Sequence, residues 1–565
     1  MKKADETTIL LTLLPFWDPE IPPLGISCLK SFLVPYGYKV TTADGNTKKE
    51  FRKIYFRYYD VLRKYIPEHL CRNLLNDGVT VLRNHLMAHI HHDDEEEYFK
   101  LLRILVETNF FTTLEPGQLS ELDQVIGEFY SAVESYYGEL LAEVNPGVVG
   151  FSSFSGSLPA SLFACRLAKK WNPKVRTVLG GQVFSDQLMV GTQDFDDFMV
   201  QSRDYVDCVI VGEGESLFLE WLQGRLPAEK RVFTLADIEN RTVDLMEIPP
   251  PDYSDLDLSY YSYIGTYGSR SCPYNCGFCS ETVFWGKYRK KKIDRLVEEF
   301  IRLYEQHAYQ AFLLTDSLLN PIVTQLADAI TASGYSFYWD GYLRADPPVR
   351  NIENTMRWRK GGYYRTKLGL ESGSPRILQK MGKRITIPQV KESVQALAYA
   401  GIKTTTAWMV GFPGETEEDF QMTLDLIEEL KDYIYEVKLQ YFKYYLRGQP
   451  GSVAWAENSF PELLYPAWGK SMLVSQTWLL NCEPTWKVMI DRVNRFMDHC
   501  QRLGLPSNYT IEDVDAADRR WQKLQVNAVP PLVELYDKNT YVQENKQVQK
   551  IYAAVNTFEE DGDWL

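Results

Sequence analysis

The sequence predicts an α/β protein: a Rossmann-like parallel-sheet domain with a helical insertion, then a partial (β/α)6 barrel, then a mainly helical region. Three observations carry this. Short apolar runs that end at Gly or Ser alternate with helix-patterned stretches over residues 8–212, and again over 264–441. A stretch rich in Leu, Tyr, Arg and Glu, residues 47–143, interrupts the first series at helical spacing. After Ser452 the strand pattern stops and Trp-rich helical spacing takes over, ending in an acidic tail.

The elements follow in order. Residues 9–14 read as a strand, followed by the loop Asp18-Pro-Glu-Ile-Pro-Pro-Leu-Gly25, a helix to about residue 33, and a strand at 38–42. Past the insertion, strands are expected at 148–154, 176–181 and 206–212, with a helix after Pro159. Strands buried on both faces read as continuous apolar runs, which is the pattern here. Residues 241–262, with Pro249-Pro-Pro251, read as a linker after a first domain of 1–240. The second series, 263–455, opens with a strand near Ile264 and continues at 311–315, 336–339, 366–370, 404–410 and 436–441, six strands in all. Residues 456–565 form the helical end. Within the insertion, His89, His91, His92 and the acidic run Asp93 to Glu97 admit a metal-site reading, but a solvated helix face or loop accounts for them more simply.

With 565 residues the chain needs several cores. A hydrophobic content of 45%, 24% charged residues and a formal charge of −15 argue for a globular protein without the basic face that nucleic acid or an anionic membrane requires. The apolar run after the N-terminus is short and interrupted by Asp18 and Pro19, and no run reaches membrane-spanning length, so no signal or anchor is expected. Nine cysteines, mostly scattered, suit a reducing cytoplasm.

One cluster among them is chemically loaded. Cys272, Cys276 and Cys279 lie in Ser271-Cys-Pro-Tyr-Asn-Cys-Gly-Phe-Cys-Ser280, with no fourth cysteine nearby. Structural zinc takes four ligands, and a four-iron cluster takes a thiolate on each iron. Three thiolates on such a cluster leave one iron open. The C-x3-C-x2-C spacing, with Phe278 before the last cysteine, resembles the radical S-adenosylmethionine (SAM) superfamily. The resemblance implies a [4Fe-4S] cluster whose open iron chelates SAM and cleaves it to a 5′-deoxyadenosyl radical. It also implies an external reductant of the flavodoxin or ferredoxin type. The plain alternatives are zinc-binding or incidental cysteines.

Strand ends downstream match what the resemblance implies. Thr315, Asp316 and Ser317 end the second strand, where polar groups would bind the SAM amino group; Arg344 follows the third and would face the carboxylate. Glu371 and Ser372 end the fourth and would reach ribose or methionine atoms. Gly411 and Pro413, in Gly-Phe-Pro-Gly-Glu-Thr416, would shape the adenine pocket, and Pro450-Gly-Ser452 closes the sixth strand. Active groups of parallel barrels gather at these carboxyl ends. Taken singly, Gly411 to Gly414 is a turn and Glu371 a helix cap.

The first domain resembles the cobalamin-binding domain that precedes many radical SAM domains, through Pro22-Pro-Leu-Gly25, Ser152, Ser153, Gly180, Gly181 and Gly212, Glu213, Gly214. Glycines let a backbone approach a bulky ligand. The Asp-x-His-x-x-Gly signature is absent, with Asp44-Gly-Asn46 in its place, so cobalamin and a corrin-free scaffold both stay open.

Such a cofactor opens several reactions. The insertion and the segments Gly180 to Gln187 and Val211 to Glu215 look similar to large enzymes that modify ribosomally made peptides, including proteusin-type epimerases. That likeness implies a peptide substrate and conversion of L- to D-residues, with a cysteine returning the hydrogen. Cys482, in Leu480-Asn-Cys-Glu-Pro484, is the least core-like candidate; Cys28, Cys165 and Cys208 sit in packing patterns. The alternative is a cobalamin-dependent C-methyltransferase, and the non-catalytic alternative a scaffold with a degraded radical domain.

Overall fold

The computed structural model describes residues 7–16, 20–71, 73–474 and 476–507, with a few positions between 517 and 524. Asp18, Pro19 and the acidic tail lie outside the described residues. The first domain is a six-stranded, all-parallel sheet in the order β2-β1-β3-β4-β5-β6. Its strands are β1 (Thr8–Leu13), β2 (Lys39–Asp44), β3 (Val148–Ser152), β4 (Arg176–Gly180), β5 (Cys208–Ile210) and β6 (Val232–Phe233). The order reverses between β1 and β3, the switch point at which open α/β sheets bind ligands.

Alternation along β1 assigns the two faces. Leu10 joins the core shared with the insertion, whereas Ile9, Leu11 and Leu13 face the opposite core with Cys28, Phe32 and Phe218. The helix α1 (Leu24–Leu33) covers that second face. On the first face lie the insertion helices α2 (Lys49–Tyr65), α3 (Leu74–His91), α4 (Glu95–Phe110) and α5 (Pro116–Val144), together with α6 (Leu158–Trp171). The insertion also caps the switch point. Phe16, whose N–H donates to the Gly156 carbonyl at 3.3 Å, packs its ring against Tyr55 and Phe129 at 5.2 and 4.8 Å.

Among the described residues the insertion histidines gather no metal-ligand group; His89, His91 and His92 are half-buried, while the acidic run Asp93 to Glu97 beside them is exposed. His85 Nε2 meets the Tyr98 hydroxyl at 2.8 Å, Tyr98 bonds Asp123, and His89 Nδ1 lies 3.0 Å from Asp123. His92 stacks on Tyr98, and burial with the nearby Arg166 holds His91 down to about 3. Asp94 caps α4 by accepting from Glu97 N–H at 2.8 Å, so this acidic run is a helix start.

The expected linker is strapped down. Asp255 accepts from Thr42 N–H at 2.8 Å and pairs with Lys30 at 2.8 Å, while Tyr261 bonds the buried Asp44. Beyond it, β7 (Ile264–Thr266) begins the second sheet, and a hairpin of β8 (Ser269–Arg270) and β9 (Arg289–Lys290) follows. The sheet continues through β10 (Ala311–Leu314), β11 (Tyr338–Arg344), β12 (Tyr363–Glu371), β13 (Lys403–Val410) and β14 (Glu436–Tyr441). These six parallel strands run in sequence order from β7 to β14, an open barrel with helices outside. The C-terminal region pairs Pro461–Leu463 with Trp478–Leu480 and then forms the helix Trp486–Arg502 against the barrel.

Candidate active site at the barrel mouth

The three cysteines occupy the tip of the β8–β9 hairpin, partly exposed and free of disulfides. Ser271, in the left-handed region at φ 71°, turns the chain into the loop, and its hydroxyl donates to the Gly286 carbonyl at 2.7 Å. The stretch between Cys276 and Cys279 is held by backbone. Gly277 N–H donates to Met381 O and Gly451 N–H to Gly277 O, both at 2.9 Å; Gln449 Nε2 donates to Phe278 O at 3.0 Å. Phe278 packs with Met381, Met409, Phe412, Phe442 and Trp455, an apolar floor beside the thiols. Burial pushes the Cys279 thiol up to about 12 and raises Cys272 as well. A cluster bound by these thiols would displace those protons. Among the described residues no three His, Cys, Asp or Glu side chains gather around a single-ion site.

Two cations face this tip. Arg344, the last residue of β11, is 4% exposed; its Nη1 lies 3.9 Å from Cys276 Sγ and its guanidinium stacks over Tyr274 at 4.0 Å. Asp346 fixes both partners, accepting from Arg344 Nε and from the Tyr274 hydroxyl, each at 2.8 Å. Lys383 Nζ pairs with Glu371 Oε1 at 2.6 Å. Glu371 sits at φ 68° where the register of β12 shifts, and this strained backbone turns its carboxylate to the mouth. Tyr274 and Lys383 were not legible as site residues, because their roles arise only when distant loops meet.

Other expected positions divide. Thr315 is exposed at the end of β10, and Ser317 donates to Glu281 Oε2 at 2.5 Å. Asp316 does not face the mouth: buried, it accepts from Gly268 N–H at 2.8 Å and from the Ser269 hydroxyl, fixing the base of the cysteine hairpin. Ser372 is fully buried, with its hydroxyl accepting from Ser374 N–H at 3.1 Å, so it braces the strand end. Gly411, at φ 85°, packs against Met489 so closely that a Cβ would collide, and Pro413 stays partly exposed beside it. Gly414 N–H donates to the Glu483 carbonyl at 2.6 Å, which brings the partly exposed Cys482 beside that turn.

In the first domain, Ser153 joins two strand ends: its N–H donates to Gly180 O at 2.7 Å, and Val183 N–H donates to its carbonyl at 3.1 Å. Gly181, at φ 109°, abuts the Ser153 backbone where no Cβ fits. Ser152 is partly exposed there, and the buried Ser153 hydroxyl has no hydrogen-bond partner. An edge with such a hydroxyl and close backbone fits a ligand rich in amides, as a corrin is. The Gly212 to Glu215 stretch departs from expectation. Glu213 is 3% exposed and pairs with Arg289 and, at 3.3 Å, with Arg270; Glu215 pairs with Arg270. Gly212 and Gly214 thus shape a clamp that locks the first domain onto the cysteine hairpin, with Glu213 engaged by cations rather than by a cofactor.

Residues 266–427 match the radical SAM superfamily. The chain carries a radical SAM enzyme domain. Its cofactors are a [4Fe-4S] cluster and SAM. The chain is similar to an uncharacterized methyltransferase of Pyrococcus horikoshii, 26% identical over 52% of this chain and 66% of that protein. It is also similar to the anaerobic magnesium-protoporphyrin IX monomethyl ester cyclase of Rubrivivax gelatinosus, 25% identical over 52% of this chain and 56% of that one. The chain therefore spans between half and two thirds of these curated relatives. The fold around the radical SAM domain is that of the methyltransferase TsrM from Kitasatospora setae, solved with cobalamin and a [4Fe-4S] cluster: TM-score 0.57, 14% identity, 93% of this chain and 100% of that chain. The cobalamin-dependent radical enzyme OxsB shares it, with TM-score 0.54, 13% identity, 99% of this chain and 81% of that one. The likeness spans both sheets and the C-terminal region. No described helix is long and apolar enough to cross a membrane.

Proposed function

We propose that the chain is a cobalamin-dependent radical SAM C-methyltransferase. The observation that carries this reading is the clamp. Arg270, two residues before the first cluster cysteine, is buried between Glu213 and Glu215 of the Rossmann-like domain, so the cysteine hairpin is fixed against the carboxyl edge of that sheet. A rigid juxtaposition of two cofactor sites suits a reaction that draws on both. Whole-length likeness in fold to TsrM and OxsB supports it, as does the sequence likeness to the Pyrococcus methyltransferase.

With cluster, SAM and corrin bound, the domain pair supplies a hydrogen-abstracting radical and a methyl donor. The chain's own residues bind and orient. Cys272, Cys276 and Cys279 would hold the cluster, and Arg344 and Lys383 would offer positive charge at that end of the mouth, toward the thiols and a ligand's carboxylate. Thr315, Ser317 and Glu371 offer polar atoms at the mouth, and the Phe278 floor keeps water from the reacting side. Ser152, Ser153, Gly180 and Gly181 form the edge that would take the corrin. An external flavodoxin- or ferredoxin-type protein supplies the electron.

A second reading, epimerisation of a ribosomally made peptide, is favoured by the thiol of Cys482 beside the Gly411 to Thr416 turn. One experiment separates the two. Full-length protein is reconstituted anaerobically with iron, sulfide and hydroxocobalamin, freed of unbound corrin, and incubated with reductant, CD3-labelled SAM and a peptide encoded beside its gene. Methyl transfer is expected to give a retained corrin spectrum and a product carrying the CD3 group. Exclusion of corrin, with no CD3 gain, refutes it. Epimerisation gives no mass change in water and one deuterium in deuterium oxide, and Cys482→Ala is then expected to stop that uptake without lowering 5′-deoxyadenosine formation.

A further inference from the structure

Residue alternation turns one face of each barrel strand inward. Leu343, Leu368 and Leu439 pack outward in the helical core, so their neighbours along the same strands face the interior. Register partners then line up across the sheet in rows. One row reads Arg344, Gly369, Ala407 and Lys438, and the row beneath it Tyr342, Lys367, Thr405 and Glu436. The upper row has a cation at each end and small residues between. Near the Arg344 end the Glu371–Lys383 pair lies over Gly369, where a Cβ would meet Glu371 Oε1 at 2.8 Å and Lys383 Nζ at 3.0 Å. Toward the Lys438 end the interior is hollow. Ala407 is partly exposed although β13 is flanked on both sides, Gln440 above Lys438 is exposed, and Tyr342 is 40% exposed.

Lys438 is the charge that this hollow offers. Three strand spacings separate it from Arg344, about 14 Å along the sheet, so it stands clear of the cysteine end. Among the described residues its ammonium has no hydrogen-bond or ion-pair partner. The carboxylates that share the interior are engaged elsewhere. Glu20, reaching in from the loop after β1, pairs with Lys367 at 2.7 Å, and Glu436 accepts from the Thr405 hydroxyl at 2.7 Å. Deeper still, Asp340 pairs with Arg365 at 2.5 Å. Burial would raise the Glu20 carboxyl, but Lys367, Arg365 and Lys438 together bring it down to about 2, which places the Lys438 charge inside the barrel. A cation drawn part-way out of water favours an anion beside it. The Gln440 carboxamide, two residues on and on the same face, also lacks a partner among the described residues and adds a donor.

We propose that the hollow receives a substrate bearing a free carboxylate, which pairs with Lys438 and accepts a hydrogen bond from the Gln440 carboxamide. One ammonium and one carboxamide match the two oxygens of a carboxylate. A phosphate takes more donors and is better served by an arginine fork or a run of backbone N–H groups. The inference deepens the proposed function by naming a group that its substrate carries, and it rests on that reading only for the barrel being the place of reaction.

The test uses the full chain, reconstituted anaerobically with its cluster and SAM so that SAM rather than the probe takes the Arg344 end, and without reductant. Saturation-transfer NMR compares hexanoate, hexanamide and ethyl phosphate. Hexanoate is expected to bind saturably, and the neutral amide and the phosphate ester each about tenfold more weakly. Lys438→Met is expected to bring hexanoate down to the level of hexanamide, and Lys438→Arg to keep the preference. Neither change strands a paired carboxylate, so the melting temperature is expected to hold. Absence of saturable hexanoate binding, or equal binding of hexanoate and hexanamide to the wild-type chain, overturns the proposal. So does a hexanoate preference that survives Lys438→Met, or ethyl phosphate binding more tightly than hexanoate. The wild-type comparison holds even if both variants fail to fold. Because nothing turns over, failure of methyl transfer leaves this result standing, and a missing carboxylate preference leaves methyl transfer to be judged by its own assay.

Discussion

Cys276→Ala, Cys272→Ala and Cys279→Ala are each expected to abolish reductive cleavage of SAM, by at least about a hundredfold; changes one shell further out from a metal already cost up to that much. Among the described residues no other cysteine lies on this hairpin. Among the described residues the remaining cysteines are Cys28, Cys165, Cys208 and Cys500, all buried, and Cys71 and Cys482 on other elements. The fold is expected to survive, since the three side chains sit partly exposed at a hairpin tip whose shape is set by backbone N–H bonds from Gly277 and Gly451 and the Gln449 carboxamide. Iron content and 5′-deoxyadenosine yield under strong reductant check this. A variant that retains full iron and cleaves SAM at the wild-type rate would show that the hairpin is not the cluster site.

Arg270→Ala is expected to be among the most destabilising single changes outside the apolar cores, by about 3–5 kcal/mol, because it strands the buried Glu215 carboxylate and leaves Glu213 to Arg289 alone. Arg270 is 9% exposed, and Glu213 and Glu215 are 3% and 4% exposed. Burial alone would push Glu215 up; the Arg270 charge outweighs it and holds the carboxylate below its usual range. A depressed carboxylate stabilises the fold above its unfolded pKa, and that contribution fades as pH falls through the folded value. In Arg270→Ala the remaining burial raises the same carboxylate, so the variant is penalised at neutral pH and relieved by protonation. The stability gap is therefore expected to narrow from about pH 7 to about pH 5. Melting curves across that range check the sign. A gap that widens on acidification contradicts the clamp. Arg270→Lys is expected to recover part of the loss, since a single ammonium cannot fork between both carboxylates.

Much of this architecture was legible in the residues because strands buried on both faces leave continuous apolar runs. The boundaries of β1, β3, β4, β13 and β14 follow such runs to within one or two residues. The four-helix insertion was legible from its spacing for the same reason. The two-residue strands β6, β8 and β9 escape notice, because two residues carry no period. Site residues divide along a similar line. Cys272, Cys276 and Cys279 announce themselves by local spacing. The positions of Asp316, Ser372 and Glu213 were legible, but their roles were not, since each is taken up by a partner that only the fold supplies: the β8 backbone, Ser374, and Arg270 with Arg289.

The hairpin that ends in the three thiols begins at Arg270, so one short ribbon serves two masters. Iron uptake at one end and the seam between the two halves at the other are mechanically joined. A chain awaiting its iron and one that has received it are therefore expected to differ in how firmly those halves grip each other, which would make assembly of the inorganic centre a step in finishing the fold.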